Sequence, residues 1–522
     1  MRISTGQIQL SGLNRMLEQQ AQLLRTQQQL STQKRILNPA DDPAASAKIV
    51  GLDQTLKVTE QFQININFSR SRLELEEGVV SGINSTLDRV REIAVQGNNS
   101  ALTNADRRAL AAEVSQNLSE LLGLANSRDA GGEYLFSGYQ GHTQPFTATA
   151  SGPYVYNGDD GQRSIQIGTN RQLAVTDSGT SAFREIRNGN GTFTTLDNPS
   201  NTGSGIIDPG SVSDPTLIDG DTYTVSFYTP TTATGSLTYN DDLTTPDNLD
   251  YTLAINGATV YTSDEADATP INTLDDLAIE INNASIATGV RAHVDNGELY
   301  LTNTAAPATA ITITETMAGA SDGGLDSMVG YFGSNLDGSG TSSVTRTVEP
   351  AAEFYLVEDS RGNAEAFGRY TDGGSIGFNG IQTNIKGGPN LGDQFVISPS
   401  LNQDVFSTVR NLQDALEGIG NNGTAEGSTQ LNNAINRFFV DIDRAMENFN
   451  GIRAQLGARM NALDSQQSLN EDFILRTRET ISELEDLDIT EAITRFTQQE
   501  VALQAAQQSY TRIQGLSLFN FL

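Results

Sequence analysis

The chain contains no cysteine, which excludes disulfides, thiolate metal sites and cysteine nucleophiles together. It also has no tryptophan and only two histidines, His142 and His293, set far apart. His142 falls in a glycine-containing loop and His293 on a hairpin strand, and neither has a cluster of metal-ligand residues beside it. Both read as structural or solvent-facing rather than catalytic. There is no His-Glu-x-x-His pair and no phosphate loop ending in Gly-Lys, and Arg187-Asn-Gly-Asn-Gly191 has the wrong spacing for a dinucleotide fingerprint. Carboxylates are abundant, so an acid pair of the glycosidase kind stays open on composition, with no motif to support it. Asn157-Gly-Asp-Asp-Gly161 has half the ligands of a calcium loop but lacks its bidentate glutamate, and reads as a turn. The expectation is no catalytic residue, no cofactor and no metal, hence not an enzyme.

Positive charge is scarce. Lys and Arg number 32 against 64 Asp and Glu, a formal net charge of −32. Such a surface repels phosphate backbones and anionic bilayers, so neither nucleic acid nor membrane is an expected partner. The imbalance is concentrated in residues 145–400, which hold 32 acidic and 9 basic side chains. The ends and the middle are therefore different materials, and the acidic middle reads as a solvated face that maintains solubility. Long apolar runs are missing as well. None could cross a bilayer, and Met1-Arg-Ile-Ser-Thr5 opens no signal-peptide core, so on these grounds alone the expected compartment is the cytoplasm. A length of 522 residues exceeds one ordinary core, and 49 glycines among many Asn, Thr, Ser and Asp favour short strands and turns over part of it.

What is present is heptad periodicity at both ends. Leu10, Leu17 and Leu24 repeat every seven residues beside a second series, Met16, Leu23, Leu30 and Leu37, and the two are expected to share one helix face. The helix is expected to stop at Asn38-Pro39. Asp41, Asp42 and Pro43 suit a turn and a new helix start, with Asp42 as cap. A second series follows at Leu52, Thr59, Ile66, Leu73, Val80, Leu87 and Ala94, and a third helix, capped by Asn104, carries Leu110, Val114, Leu118 and Leu121. The far end mirrors this with Ile435, Ile442, Phe449, Leu456, Leu463, Asn470, Thr477 and Leu484, two of them polar. A last amphipathic helix carries Phe496, Leu503 and Tyr510, followed by apolar Leu516, Leu518, Phe519, Phe521 and Leu522. Helices this long and one-sided pack most economically end against end, which makes the middle an insertion.

Within the middle, Tyr154, Tyr156, Ile165, Ile167, Leu173 and Val175 alternate as strands do, as do Tyr223, Val225 and Phe227. Asn379-Gly380 marks a hairpin turn. A separate α+β unit opens with the strand from Tyr251, continues with a helix capped at Thr273, and adds a hairpin about Asn296-Gly297 and a strand at Ile311 and Ile313. The expected fold class is multidomain: a long coiled-coil-like bundle of N- and C-terminal helices with inserted β-rich and α+β domains. The expected boundaries are 1–44 for the first helix, 45–145 for the N-terminal bundle, 146–214 and 346–402 for the β-rich domain, 215–345 for the α+β insert, 403–486 for the C-terminal bundle and 487–522 for the last helix.

Asn38-Pro-Ala-Asp-Asp-Pro-Ala-Ala-Ser46 resembles the turn between the first helices of flagellins and flagellar hook-associated proteins. Leu456-Gly-Ala-Arg-Met-Asn-Ala-Leu463, the stretch from Ile481 to Ile493, and the tail Gly515-Leu-Ser-Leu-Phe-Asn-Phe-Leu522 are similar to the same family. The α+β insert resembles a repeat found in flagellins and their relatives. The resemblance implies a structural, self-assembling part of the flagellum at the junction of hook and filament. Export would run unfolded through the flagellar type III channel without a cleaved signal, which replaces the cytoplasmic expectation. Implied partners are further copies in a ring, hook-associated protein 1, flagellin and an export chaperone. Leu52–Ala94 and Ile435–Leu484 are then expected as intrachain core, and Leu10–Leu37 with Phe496–Leu522 as mainly intersubunit. A flagellin-like filament subunit stays open, as does a secreted adhesin or enzyme carried in the insert.

Overall fold

Helices occupy both ends of the chain: α1 (Thr5–Thr32), α2 (Pro43–Gly97) and α3 (Asn104–Ala125) precede the strands, and α6 (Val405–Glu417), α7 (Ala425–Glu485) and α8 (Ile489–Gly515) follow them. Two short helices, α4 (Leu274–Asn283) and α5 (Ser285–Thr288), lie within the β-rich middle. The computed structural model describes residues 5–149, 154–228, 231–232, 250–262, 271, 273–295, 297–304, 309–318, 332, 340–346, 354–418 and 425–515. The chain divides into two units, one of Met1–Leu75, Gln162–Thr176 and Gln455–Leu522, the other of Glu76–Gly161 and Asp177–Ala454.

In the first unit the neighbouring parts of α2 and α7 run antiparallel. Gln63 donates to the Gln467 carbonyl at 3.1 Å, Arg70 pairs with Asp464 at 2.5 Å and Arg478 with Glu60 at 2.6 Å. Thr59, Phe62, Ile66 and Leu73 are buried on α2, and Leu456, Leu463, Asn470 and Thr477 on α7. The polar heptad position Asn470 has a cause. A hairpin of strands Ser164–Gly168 and Arg171–Ala174 packs there, and Asn470 donates to the Ile167 carbonyl at 3.0 Å while accepting from Gln466 at 2.9 Å. An apolar residue would leave that hairpin carbonyl unpaired.

In the second unit Val80, Ile83, Leu87, Val90 and Ala94 of α2 form a buried stripe, as do Ile435, Phe438, Ile442, Ala445 and Phe449 of α7. Each such Leu or Ile contributes about 1.5–3 kcal/mol on burial. The expected cap Asn104 is corrected: Thr103 caps α3 in a reciprocal box with Asp106, because Asp106 stands at the third helical position where its carboxylate reaches back to the Thr103 N–H. A cluster of Phe136, Phe146, Phe183, Phe406 and Phe449, with centroids 5.1–5.7 Å apart, ties the 126–161 loops to α6 and α7.

A five-stranded antiparallel sheet runs in the order Ala364–Arg369, Phe354–Glu358, Tyr223–Tyr228, Gln394–Pro399, Phe193–Asp197. It shares a core with the hairpin Ser375–Phe378 and Ile381–Lys386, whose turn residues Asn379 and Gly380 both have positive φ, 40° and 74°. The α+β unit has its own core, Tyr251, Leu253, Ile281, Leu299, Ile311 and Phe332 among others. Thr273 caps α4 with Asp276 as expected, whereas Asn296 of the expected turn lies outside the described residues. The expected start of this insert at 215 is corrected, because Tyr223–Tyr228 is the middle strand of the five-stranded sheet. Tyr300 packs on Phe354 at 4.8 Å and His293 on Phe367 at 4.4 Å, so the insert also shares an aromatic seam with that sheet.

Candidate assembly site

No site residue here is catalytic by expectation; the question is where the terminal helices and the Asn38–Pro43 turn stand. α1 and α8 are antiparallel. Gly12 lies against the Tyr510 ring, where a Cβ would come 3.3 Å from the nearest ring atom. At the other end of the pair the two chain breaks meet: the Arg35 N–H donates to the Glu485 carbonyl at 2.7 Å and the Leu487 N–H to the Gln33 carbonyl at 2.9 Å, with Lys34 opposite Asp486 between them. Lys34 pairs with Glu485, and Arg35 donates to the Leu484 carbonyl at 2.7 Å. This backbone clamp explains why α1 stops at Thr32 rather than at Asn38. Gln33 takes a positive φ of 57°, which turns the chain out of the helix so that its carbonyl can reach Leu487.

The turn then winds around Asp41. Its carboxylate accepts from the N–H groups of Leu37 at 3.0 Å and Asn38 at 3.1 Å and pairs with Arg25 at 2.6 Å. Those backbone bonds, with Arg25 beside them, hold its carboxyl below the usual range. Asp42 accepts from Ala45 at 3.0 Å and caps α2, whose first residue is Pro43. Asn38 and Pro39 are exposed on the outer side of the turn. The matching break before α8 is capped by Asp488, which accepts from Thr490 and Glu491.

The two apolar series of α1 do not share a face. Residues one apart on a helix point about 100° apart, so Met16, Leu23 and Leu30 are half-buried while Leu10, Leu17 and Leu24 are 63%, 54% and 52% exposed. On α8, Phe496, Leu503 and Tyr510 are half-buried on the stripe that carries the Tyr510–Gly12 contact. The expected interface residues thus separate into a leucine stripe facing outward and an aromatic stripe turned toward α1. Leu516, Leu518, Phe519, Phe521 and Leu522 lie outside the described residues. Gln33, Lys34, Arg35 and the Leu484–Leu487 segment escape sequence reading, since a two-bond backbone bridge needs no particular side chains.

Other candidate chemistry resolves into structure. Asp159 of the half calcium loop accepts from Tyr139 and Gly161, both at 2.8 Å, which makes it a turn-former. Gly373-Gly-Ser-Ile-Gly377 spells a Gly-x-Ser-x-Gly string, but Ser375 opens a hairpin strand and no helix follows it, so the strained strand-to-helix elbow is not formed. Among the described residues no group of three or more His, Asp or Glu is placed to hold a metal ion, and no helix is long and apolar enough to cross a membrane.

Residues 3–141 match the bacterial flagellin N-terminal helical region and residues 440–522 the bacterial flagellin C-terminal helical region. Both ends of the chain are thus similar to the helical regions of bacterial flagellin. The chain is 31% identical over 186 residues to flagellar hook-associated protein 3 of Salmonella typhimurium and 32% identical over 188 residues to that of Escherichia coli. These matches cover 36% of this chain and 58% of each relative's length. The flagellar junction protein FlgL from Legionella pneumophila shows the same fold at 24% identity, with a TM-score of 0.56 over 84% of this chain and all of that one. A flagellar hook-associated protein-3 structure from Legionella pneumophila is 26% identical, with a TM-score of 0.55 over 84% of this chain and 98% of that one. The two matched regions take in α1, the Asn38–Pro43 turn and α8, so both helix breaks lie within them.

Proposed function

We propose that the chain is the hook-filament junction subunit of a bacterial flagellum. It forms a ring of identical copies with hook-associated protein 1 on one side and flagellin on the other. It reaches the cell exterior through the flagellar type III channel, accompanied before export by a chaperone. The observation that carries this reading is the likeness to hook-associated protein 3 over nearly the whole of a solved member. The outward leucines of α1 supply the surface such a ring needs. Burying one Leu or Phe is worth about 1.5–3 kcal/mol, so Leu10, Leu17 and Leu24 with the tail residues Leu518, Phe519, Phe521 and Leu522 would contribute several kcal/mol per contact after ordering costs.

Electron microscopy of a deletion strain tests the proposal. Hooks should carry hook-associated protein 1 but no filaments, with flagellin released to the medium; normal filaments overturn it. A flagellin-like filament subunit is the second reading, favoured by weaker similarity to Salmonella flagellins, 26% over 174 residues. Growth of long filaments from the purified chain alone would select it.

A further inference from the structure

The seam between α1 and α8 holds polar side chains among its apolar ones, while four leucines of α1 stay outside it. Gln19 stands between Met16 and Leu23 on α1, and Gln499 between Phe496 and Leu503 on α8. The side-chain amide oxygens of both are shut away from solvent and accept no hydrogen bond. Gln22, Arg495, Gln498 and Ala502, all exposed, line with them an open surface pocket of ≈ 230 Å³. A buried acceptor left unpaired costs more than an ordinary hydrogen bond contributes, so this layer works against the pairing in which it sits. Meanwhile Leu10, Leu13, Leu17 and Leu24 remain on the surface.

We infer that Gln19 and Gln499 form a polar layer that selects which face of α1 enters the seam with α8 and keeps that pair openable. Two apolar stripes lie about 100° apart on α1, and rotation by that angle would bring the leucine stripe against Phe496 and Leu503. The rotated pair would cover Leu10, Leu17 and Leu24 in place of Met16, Leu23 and Leu30. It would also carry Gln19 out of the seam and set Gln499 alone against leucine side chains, away from the amides and guanidinium that now surround it. Polar residues at single seam positions specify helix pairing in this way, at a cost in stability. The leucines are thereby kept outside, for a neighbouring copy. That last use rests on the assembly reading; the pairing choice does not.

The absence of cysteine makes the test clean. Gly12→Cys with Tyr510→Cys reports the seam described here, and Leu17→Cys with Leu503→Cys reports the rotated one. In the full-length chain a short bis-maleimide should link the first pair roughly tenfold faster than the second. Adding Q19L and Q499L should bring the second pair to at least equal rate, and α1 and α8 amides should exchange roughly tenfold more slowly in the chain without cysteines. Q19L or Q499L alone should move both readouts in the same direction by less, and serves if the double variant misfolds. An unchanged linking ratio overturns the selection role; unchanged or faster exchange overturns the openable pair. Filament counts for Q19L/Q499L in a deletion strain are read separately. Shifted linking with normal filaments would leave the seam inference standing and remove the leucine stripe from subunit contact.

Discussion

Single carboxylates in this chain act in opposite senses. Asp441 on α7 is almost fully buried, accepts from the Gly189 N–H at 2.7 Å and from Gln403 at 3.4 Å, and has its pKa pushed up, chiefly by burial. A carboxyl whose folded pKa is raised binds protons more tightly in the folded chain, so its contribution falls as pH rises from the ordinary carboxylate value through the raised one. Asp441→Asn keeps an acceptor for Gly189 without the charge. Melting temperatures should therefore show the variant gaining on wild type at neutral pH, with the difference shrinking as pH falls through the raised value and Asp441 takes up its proton. An equal difference at all pH would show that charge burial is not what Asp441 costs. Asp41 behaves in reverse: its depressed pKa means that its hold on Leu37 and Asn38 is present above the ordinary carboxylate range and lost as acid drives pH through the lowered value. Asp41→Ala should accelerate amide exchange at Leu37 and Asn38 while leaving α6 and α7 protected, which exchange mapped by mass spectrometry can check.

At the scale of elements, the two ends of α2 and α7 differ from α1 and α8 in what their stripes meet. Ile442 is fully buried, and Ile442→Ala should lower unfolding free energy by about 2–5 kcal/mol in denaturant titrations. Leu10, Leu17 and Leu24 changed together to Ser should leave helicity and melting within error yet abolish incorporation into flagella, whereas Phe496→Ser with Leu503→Ser should reduce helicity first. Equal loss of helicity in both variants would place the leucines in the folded core of the single chain. The heptads made the long helices legible from sequence, because a repeat sustained over many turns has no other economical reading. The division of α1 into an inward and an outward face was not legible: Met16 and Leu17 are neighbours in sequence, and only the position of α8 decides which one is covered. The aromatic cluster around Phe183 was hidden for a different reason. Its members come from a loop, a short strand, a short helical turn and two helices, so no period connects them. Thr103 was missed as a cap because Asn104 is an equally good cap residue, and only the reach of Asp106 distinguishes them.

At the scale of the whole molecule, the α+β insert is joined to the five-stranded sheet by Tyr300 on Phe354, His293 on Phe367 and an Arg291–Glu358 pair at 3.0 Å. Tyr228 stands directly opposite Phe354 in the sheet register. Replacing residues 229–353 by Asn-Gly should therefore close a hairpin and preserve motility, but only with Phe354 and Phe367 made polar, since excision uncovers both. Swimming assays and gel filtration of the two deletions check this; a soluble, motile deletion without those changes would show that the seam carries little. The clamp between the two helix breaks has a consequence in time. Lys34 and its partner Glu485 are 451 residues apart. At ribosomal rates of roughly 5–20 residues per second, the first helix leaves the tunnel about 20–90 s before α8 exists to receive it. Throughout synthesis α1 is a leucine-bearing segment without its mate, and whatever meets it in that interval has first claim on the helix.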